Sequence, residues 1–184
     1  MRLYVITTLF ALLLVDNSAN AFGLHAGSDI AIGHIGDSDQ SVLSRSMGAL
    51  DFQIMPGYRM GPVLLGVSWD YRIVNQVQPK ASNNDMSGTG TDWGVGASFE
   101  PLLWKFLFNY DVSSKYSVAA SGYIYKGSGF RALIGYQALP HFYIDLVFLR
   151  TSYNDLEIGS LTPVDLSSDP LSYWNFGIGV SLSL

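Results

Sequence analysis

At 184 residues, 48% hydrophobic and only 14% charged, the chain is long enough for one domain with a sizeable core, and no composition shift argues for two. A formal net charge of −5 with no basic cluster excludes nucleic acid as an expected partner, and the absence of Cys excludes disulfides, thiolate metal sites and lipid attachment to an N-terminal Cys. The charged share is well under the rough quarter of soluble domains, yet the one long apolar run, Leu3 to Val15, is too short to cross a bilayer as a helix. Any crossing is left to strands.

The N-terminus reads as a secretory signal: Met1-Arg2, the apolar run to Val15, then a polar stretch ending Ala19-Asn20-Ala21. Cleavage is expected after Ala21, so residues 1–21 form the signal peptide and 22–184 the mature barrel domain. Removing Arg2 and Asp16 leaves 9 minus 14, still −5.

From Phe22 the chain sorts by parity, as it must when side chains point alternately to the two faces of a strand. The first strand, about 23–36, puts Leu24, Ala26, Ile30 and Ile32 opposite His25, Gly27, Asp29, Ala31 and Gly33. A loop over 37–45 precedes a second strand, about 46–59, with Leu50, Phe52, Ile54 and Tyr58 opposite Asp51, Gln53, Gly57 and Arg59. After Met60-Gly61-Pro62 the third sets Val63, Leu65, Val67, Trp69, Tyr71 and Ile73 against Leu64, Gly66, Ser68, Asp70 and Arg72. Residues 75–91, rich in Asn, Ser and Gly, read as a long loop. Trp93, Val95, Ala97 and Phe99 then oppose Asp92, Gly94, Gly96, Ser98 and Glu100, and Pro101 turns the chain. The fifth strand opposes Trp104, Phe106, Phe108, Tyr110 and Val112 to Lys105, Leu107, Asn109, Asp111 and Ser113, with a possible reach to Val118. Residues 119–128 read as a loop, from which Tyr123 to Tyr125 could extend a hairpin.

The sixth strand sets Phe130, Ala132, Ile134 and Tyr136 against Arg131, Leu133, Gly135 and Gln137. Past Pro140 the seventh sets Phe142, Ile144, Leu146 and Phe148 against His141, Tyr143, Asp145 and Val147. His141 is expected at the rim as a polar cap. A loop over 154–170 leads to the last strand, 171–184, where Trp174, Phe176, Ile178, Val180, Leu182 and Leu184 form one unbroken apolar face. Eight strands result, joined alternately by loops of about 10 to 17 residues and turns of about 3 to 4, the alternation expected of an outer-membrane barrel. The fold class is therefore all-β: an eight-stranded antiparallel up-and-down transmembrane barrel.

Signal peptide, eight alternating strands and an apolar terminal strand together resemble the small bacterial outer-membrane β-barrel proteins, the class of OmpX and of the OmpA membrane domain. The resemblance covers the mature chain and implies outer-membrane lipid and the barrel-assembly machinery as partners, the latter reading the terminal strand. That class typically ends in Phe, where this chain has Leu184.

The inward face holds Asp29, Asp51, Asp70, Arg72, Asp92, Glu100, Lys105, Asp111, Arg131 and Asp145. Side chains nearly fill a barrel of eight strands, and buried charges need partners, so a salt-bridged lumen is expected, with Arg72 and Arg131 pairing to Asp51, Asp70 and Asp145. The alternative is a narrow path through the same residues, which net negative charge would bias toward cations. No Gly-x-Ser-x-Gly, His-Glu-x-x-His or paired His ligands occur among His25, His34 and His141, so neither enzyme activity nor a cofactor or metal is expected. The four tryptophans and many tyrosines read as interfacial belt residues near strand ends. A secreted lipocalin-like barrel is the rival from another class, and it would need the apolar face inside. The expected product is a monomeric envelope protein with loops exposed for recognition.

Overall fold

The computed structural model describes residues 20–36, 44–77, 85–159 and 161–184. Parity is realised as eight long strands: β1 (Asn20–Gly36), β2 (Ser44–Met60), β3 (Val63–Gln76), β4 (Gly88–Phe99), β5 (Trp104–Val118), β6 (Tyr123–Leu139), β7 (Phe142–Ile158) and β9 (Leu171–Ser183). A two-residue strand, β8 (Val164–Asp165), pairs only with the outer end of β7. Each long strand is antiparallel to the next, and β9 pairs with both β7 and β1, from His25↔Ser183 to Gly36↔Ser172. The wall closes, so its backbone groups are satisfied between strands without an open edge, the condition for crossing lipid. Most of the expected signal peptide, residues 1–19, lies outside the described residues; β1 begins at Asn20, with Ala21 opposite Arg59.

The large apolar side chains of the outward set lie exposed on the outer face, Ile30 at 73% and Ile178 at 62%, while Asp51, Asp70, Arg72 and Arg131 on the other face are buried to 2% or less. An apolar exterior and a polar interior are the reverse of what a lipocalin-like barrel requires. Register follows from this segregation, because a one-residue slip would turn the aspartates outward.

Several expected boundaries are corrected. Residues 88–91 extend β4, pairing Gly88 to Thr91 with Val74 to Tyr71, so the loop over 75–91 is shorter than expected. Gly90 reads as turn chemistry in sequence, but here it is a strand residue opposite Arg72, and a Cβ would just touch Arg72 Cβ and Nη1 at 3.4 Å. Residues 123–128 belong to β6, and only 119–122 connect it to β5. The seventh strand runs to Ile158, leaving 159–170 as the loop, and of the expected loop over 37–45, Ser44 and Arg45 are strand. Ser113 does not face inward. A β-bulge lies between Asp111 and Ser114, where both Val112 and Ser113 are exposed; it shifts the parity and turns Ser114, Tyr116 and Val118 into the lumen. Trp69 and Trp93 sit opposite each other at mid-strand rather than near strand ends, rings 6.3 Å apart, whereas Trp104 and Trp174 do lie toward strand ends.

The short turns use the left-handed backbone region. Gly61 takes it at φ 56°, which glycine adopts without strain, but Leu102 and His141 take it at 55° and 64°. His141 is thus an exposed turn residue and not part of the inward face, although its Nδ1 donates to the Ser183 carbonyl at 3.0 Å, capping the rim.

Candidate functional site

The lumen is filled in layers. At mid-wall, register sets Asp29 opposite Asp51, Asp51 opposite Arg72 and Asp70 opposite Asp92, all facing inward. Like charges directly across a pair of strands repel, and two arginines reach between them. Arg72 Nε donates to Asp51 Oδ1 at 2.8 Å and its Nη2 to Asp92. Arg131, from the far side of the barrel, lies 3.1 Å from Asp29, 3.4 Å from Asp70 and 3.8 Å from Asp51. The planar guanidinium fork suits such multiple pairing. Neutral side chains extend the ladder: Asn175 Nδ2 donates to Asp51 at 3.1 Å and to the Tyr173 hydroxyl at 3.0 Å, Ser68 donates to Asn109 at 2.6 Å, and Asn109 donates to Asp111.

Toward the turns, Lys105 Nζ lies 3.2 Å from Asp145, donates to Ser181 and sits 4.5 Å above the Tyr143 ring. The expected pairing of Asp145 with an arginine is therefore corrected: register sets Asp145 opposite Gly135 and Gly135 opposite Lys105, so lysine is the cation within reach. Met55, Leu64, Leu107, Leu133 and Val147 form a small apolar cluster in this half. At the turn mouth Arg59 binds Glu100 at 2.9 Å, Ser183 Oγ at 2.7 Å and the Leu184 carbonyl at 3.1 Å, while Ser183 and Ser98 donate to Glu100 at 2.5 and 2.8 Å. Burial pushes the Glu100 carboxyl up, but the hydrogen bonds from Arg59, Ser183 and Ser98 outweigh it and hold the group below the usual carboxylate range.

At the loop end the interior is not polar. Ile35, Met47, Val74, Met86, Tyr116, Val118, Tyr125, Leu149, Tyr153, Leu171 and Tyr173, with Ala31 and Ala49, form a buried cluster on which Leu156 and Leu166 pack. The Tyr116 and Tyr153 rings are 6.0 Å apart, and Tyr116 donates to the Met86 carbonyl. The expected polar lumen holds at mid-wall and toward the turns, and at the loop end the barrel adds an apolar plug above its charged layers. Part of it was visible in sequence, since Leu149 and Tyr153 continue the inward parity of Asp145 and Val147. Tyr116 and Val118 were hidden by the bulge, and Tyr125 by its glycine-rich surroundings.

All eight lumen residues singled out in sequence, Asp29, Asp51, Asp70, Arg72, Lys105, Asp111, Arg131 and Asp145, lie buried inside. Asp111 alone of them makes no ion pair among the described residues. Asp29, Asp51, Asp70, Asp92, Asp111 and Asp145 outnumber Arg72, Arg131 and Lys105, which leaves carboxylate oxygens such as Asp111 Oδ2 and Asp92 Oδ1 without a hydrogen bond. Among the described residues no three His, Asp or Glu side chains could hold a metal ion. On the terminal strand, Trp174, Phe176, Ile178, Val180, Leu182 and Leu184 all face outward.

No family model and no curated protein sequence matches the chain. Among solved structures, Neisserial surface protein A (NspA) is similar at a TM-score of 0.58 and 14% identity, over 86% of this chain and 96% of that one. Ail, the attachment invasion locus protein of Yersinia pestis, solved with the heparin analogue sucrose octasulfate, aligns at 0.48 and 12% over 88% and 99%. The chain has the fold of the small eight-stranded outer-membrane barrels.

Proposed function

We propose that the chain is exported through the secretory pathway, cut after Ala21, and folded into the outer membrane as a monomeric, non-enzymatic and non-conducting barrel whose loops meet the exterior. The observation that supports this reading is the filled interior: among the described residues, ion-paired side chains and an apolar plug occupy the lumen at successive depths. Outer-membrane lipid is the partner of the exposed apolar belt, and the outward face of β9 is what the barrel-assembly machinery would read. A role in surface interaction is supported by the loop ends, where recognition usually resides on a rigid scaffold, and by the likeness in fold to a protein named for its surface location.

Planar-bilayer recording of the purified protein tests the closed lumen. No steady conductance is expected, and cation-selective openings abolished by changes at Asp70 or Arg131 would establish the narrow-pore reading instead. Orientation is read separately, because a chain without Cys accepts a single reporter thiol. Leu161→Cys, in the loop after β7, should react with a membrane-impermeant maleimide on intact cells, whereas Leu102→Cys, in a turn, should react only after lysis. The opposite pattern would invert the barrel.

A further inference from the structure

His25 is a buried group to which the lumen offers no hydrogen bond among the described residues. It faces inward from β1, is 0% exposed, and neither ring nitrogen has a hydrogen-bond partner among the described residues. Whichever nitrogen carries the proton, a buried donor goes unsatisfied, a cost comparable to a lost hydrogen bond. Its surroundings share the deficit. Beside His25 lies a cavity of about 10 Å³, also lined by Gly27, Asp29, Gln53, Arg131 and Asp145. Both amide atoms of Gln53, Asp29 Oδ1 and Arg131 Nε are likewise buried without a hydrogen bond, and Asp145 Oδ1 has only the Lys105 ammonium, at 3.2 Å. Gln53 itself is 2% exposed.

We propose that this cavity is a binding site for one ordered water, which joins the mid-wall ladder to the turn-side layer. Size and chemistry agree on that ligand. A space of about 10 Å³ is close to one water-sized sphere, and a buried water needs two to four polar partners, which this lining supplies. The lining contains donors, on Arg131 and Gln53, as well as acceptors, on Asp29, Asp145 and Gln53. Water can serve both kinds at once. A metal ion would meet the Arg131 cation, and no three His, Asp or Glu side chains here could hold one. The position gives the site its consequence: Asp29 and Arg131 belong to the ladder, Asp145 to the Lys105 pair, and among the described residues no hydrogen bond or ion pair links the two sets. Through the water the charged layers become one network that reaches from mid-wall toward the turns and stops beneath the apolar plug.

Gly27 permits a test. A Cβ at this position would lie 3.5 Å from His25 Nε2 and 3.2 Å from Ser181 Cβ, at the edge of the cavity. In the full chain reconstituted in lipid bilayers, magnetisation transfer from water to the His25 ring protons should be present in the wild type. It should be lost in Gly27→Ala, whose methyl takes the space without hydrogen bonds. Gly27→Ser should also lose the transfer, yet unfold nearer the wild-type urea midpoint than Gly27→Ala, since its hydroxyl replaces part of what the water supplied. Absence of transfer in the wild type, or transfer unchanged in Gly27→Ala, overturns the proposal. Should neither variant fold, a wild-type crystal structure that resolves ordered waters decides: one density peak within hydrogen-bonding distance of both His25 and Gln53 supports the site, and a dry cavity overturns it.

Discussion

Arg131 is the residue on which the mid-wall layer most depends, because one guanidinium serves Asp29, Asp51 and Asp70 from across the barrel. Removing it strands buried carboxylates, and Arg131→Ala should lower stability by about 3–5 kcal/mol, the usual scale for breaking one side of a buried pair. Val180→Ala, on the exposed outer face, should cost much less. Urea unfolding in lipid vesicles compares the two; equal losses would mean that the lumen is wet and its charges independent. Leu102 makes the opposite case. It is 93% exposed and sits at φ 55°, where a Cβ is strained by roughly 1–2 kcal/mol. Leu102→Gly relieves that strain but frees the unfolded chain, so a net gain of about 0.5–1 kcal/mol is expected in the same assay. A loss would show that Leu102 gains more from contacts beyond the barrel than it loses in backbone strain.

Among the elements, the junction of β9 with β1 is the one closed by residues far apart in sequence. Arg59 reaches from β2 to the last two residues, with Glu100 and Ser98 behind it and His141 holding Ser183 from the other side. This clasp should be pH-dependent with a defined sign. Glu100 is held below its unfolded value of 4.5, so its contribution is fully present above that value and is lost as pH falls through the lower folded value. Unfolding midpoints of the wild type should therefore fall on acidification across this range. Glu100→Gln should start lower at neutral pH and show a shallower fall. A variant slope identical to the wild type would place the acid sensitivity elsewhere.

For the molecule as a whole, the proposed closed lumen makes the charged layers and the apolar plug two seals in series. On that proposal each fills the lumen at its own depth, so neither alone should be indispensable for closure. Tyr116→Ala combined with Tyr153→Ala should destabilise the barrel by removing a buried pair of tilted rings, yet leave it non-conducting. Adding Arg131→Ala to that pair should produce measurable bilayer conductance if the triple variant still shows the heat-dependent gel mobility of a folded barrel. Conductance in the double variant would mean that the ladder is no barrier, whereas a silent, folded triple variant would mean that side chains collapse to refill the space.

Parity alone determined the architecture. With one face apolar and the other small or charged over eight segments, only one register keeps aspartate out of lipid, and only a closed wall satisfies the backbone. It also assigned Asp29, Asp51, Asp70, Arg72, Lys105, Asp111, Arg131 and Asp145 to the interior, because that assignment is local and needs no knowledge of neighbours. Which charges meet could not be read this way. Arg131 and Asp29 are 102 residues apart, and Lys105 takes Asp145 in place of an arginine because the pairing of β5, β6 and β7 brings them together. The loop-end plug was likewise decided by tertiary structure: the bulge after Asp111 reverses the parity of the end of β5, and the extensions of β4, β6 and β7 carry Gly, Ser, Asn and Asp that locally favour turns. They are held as strands by the partners beside them.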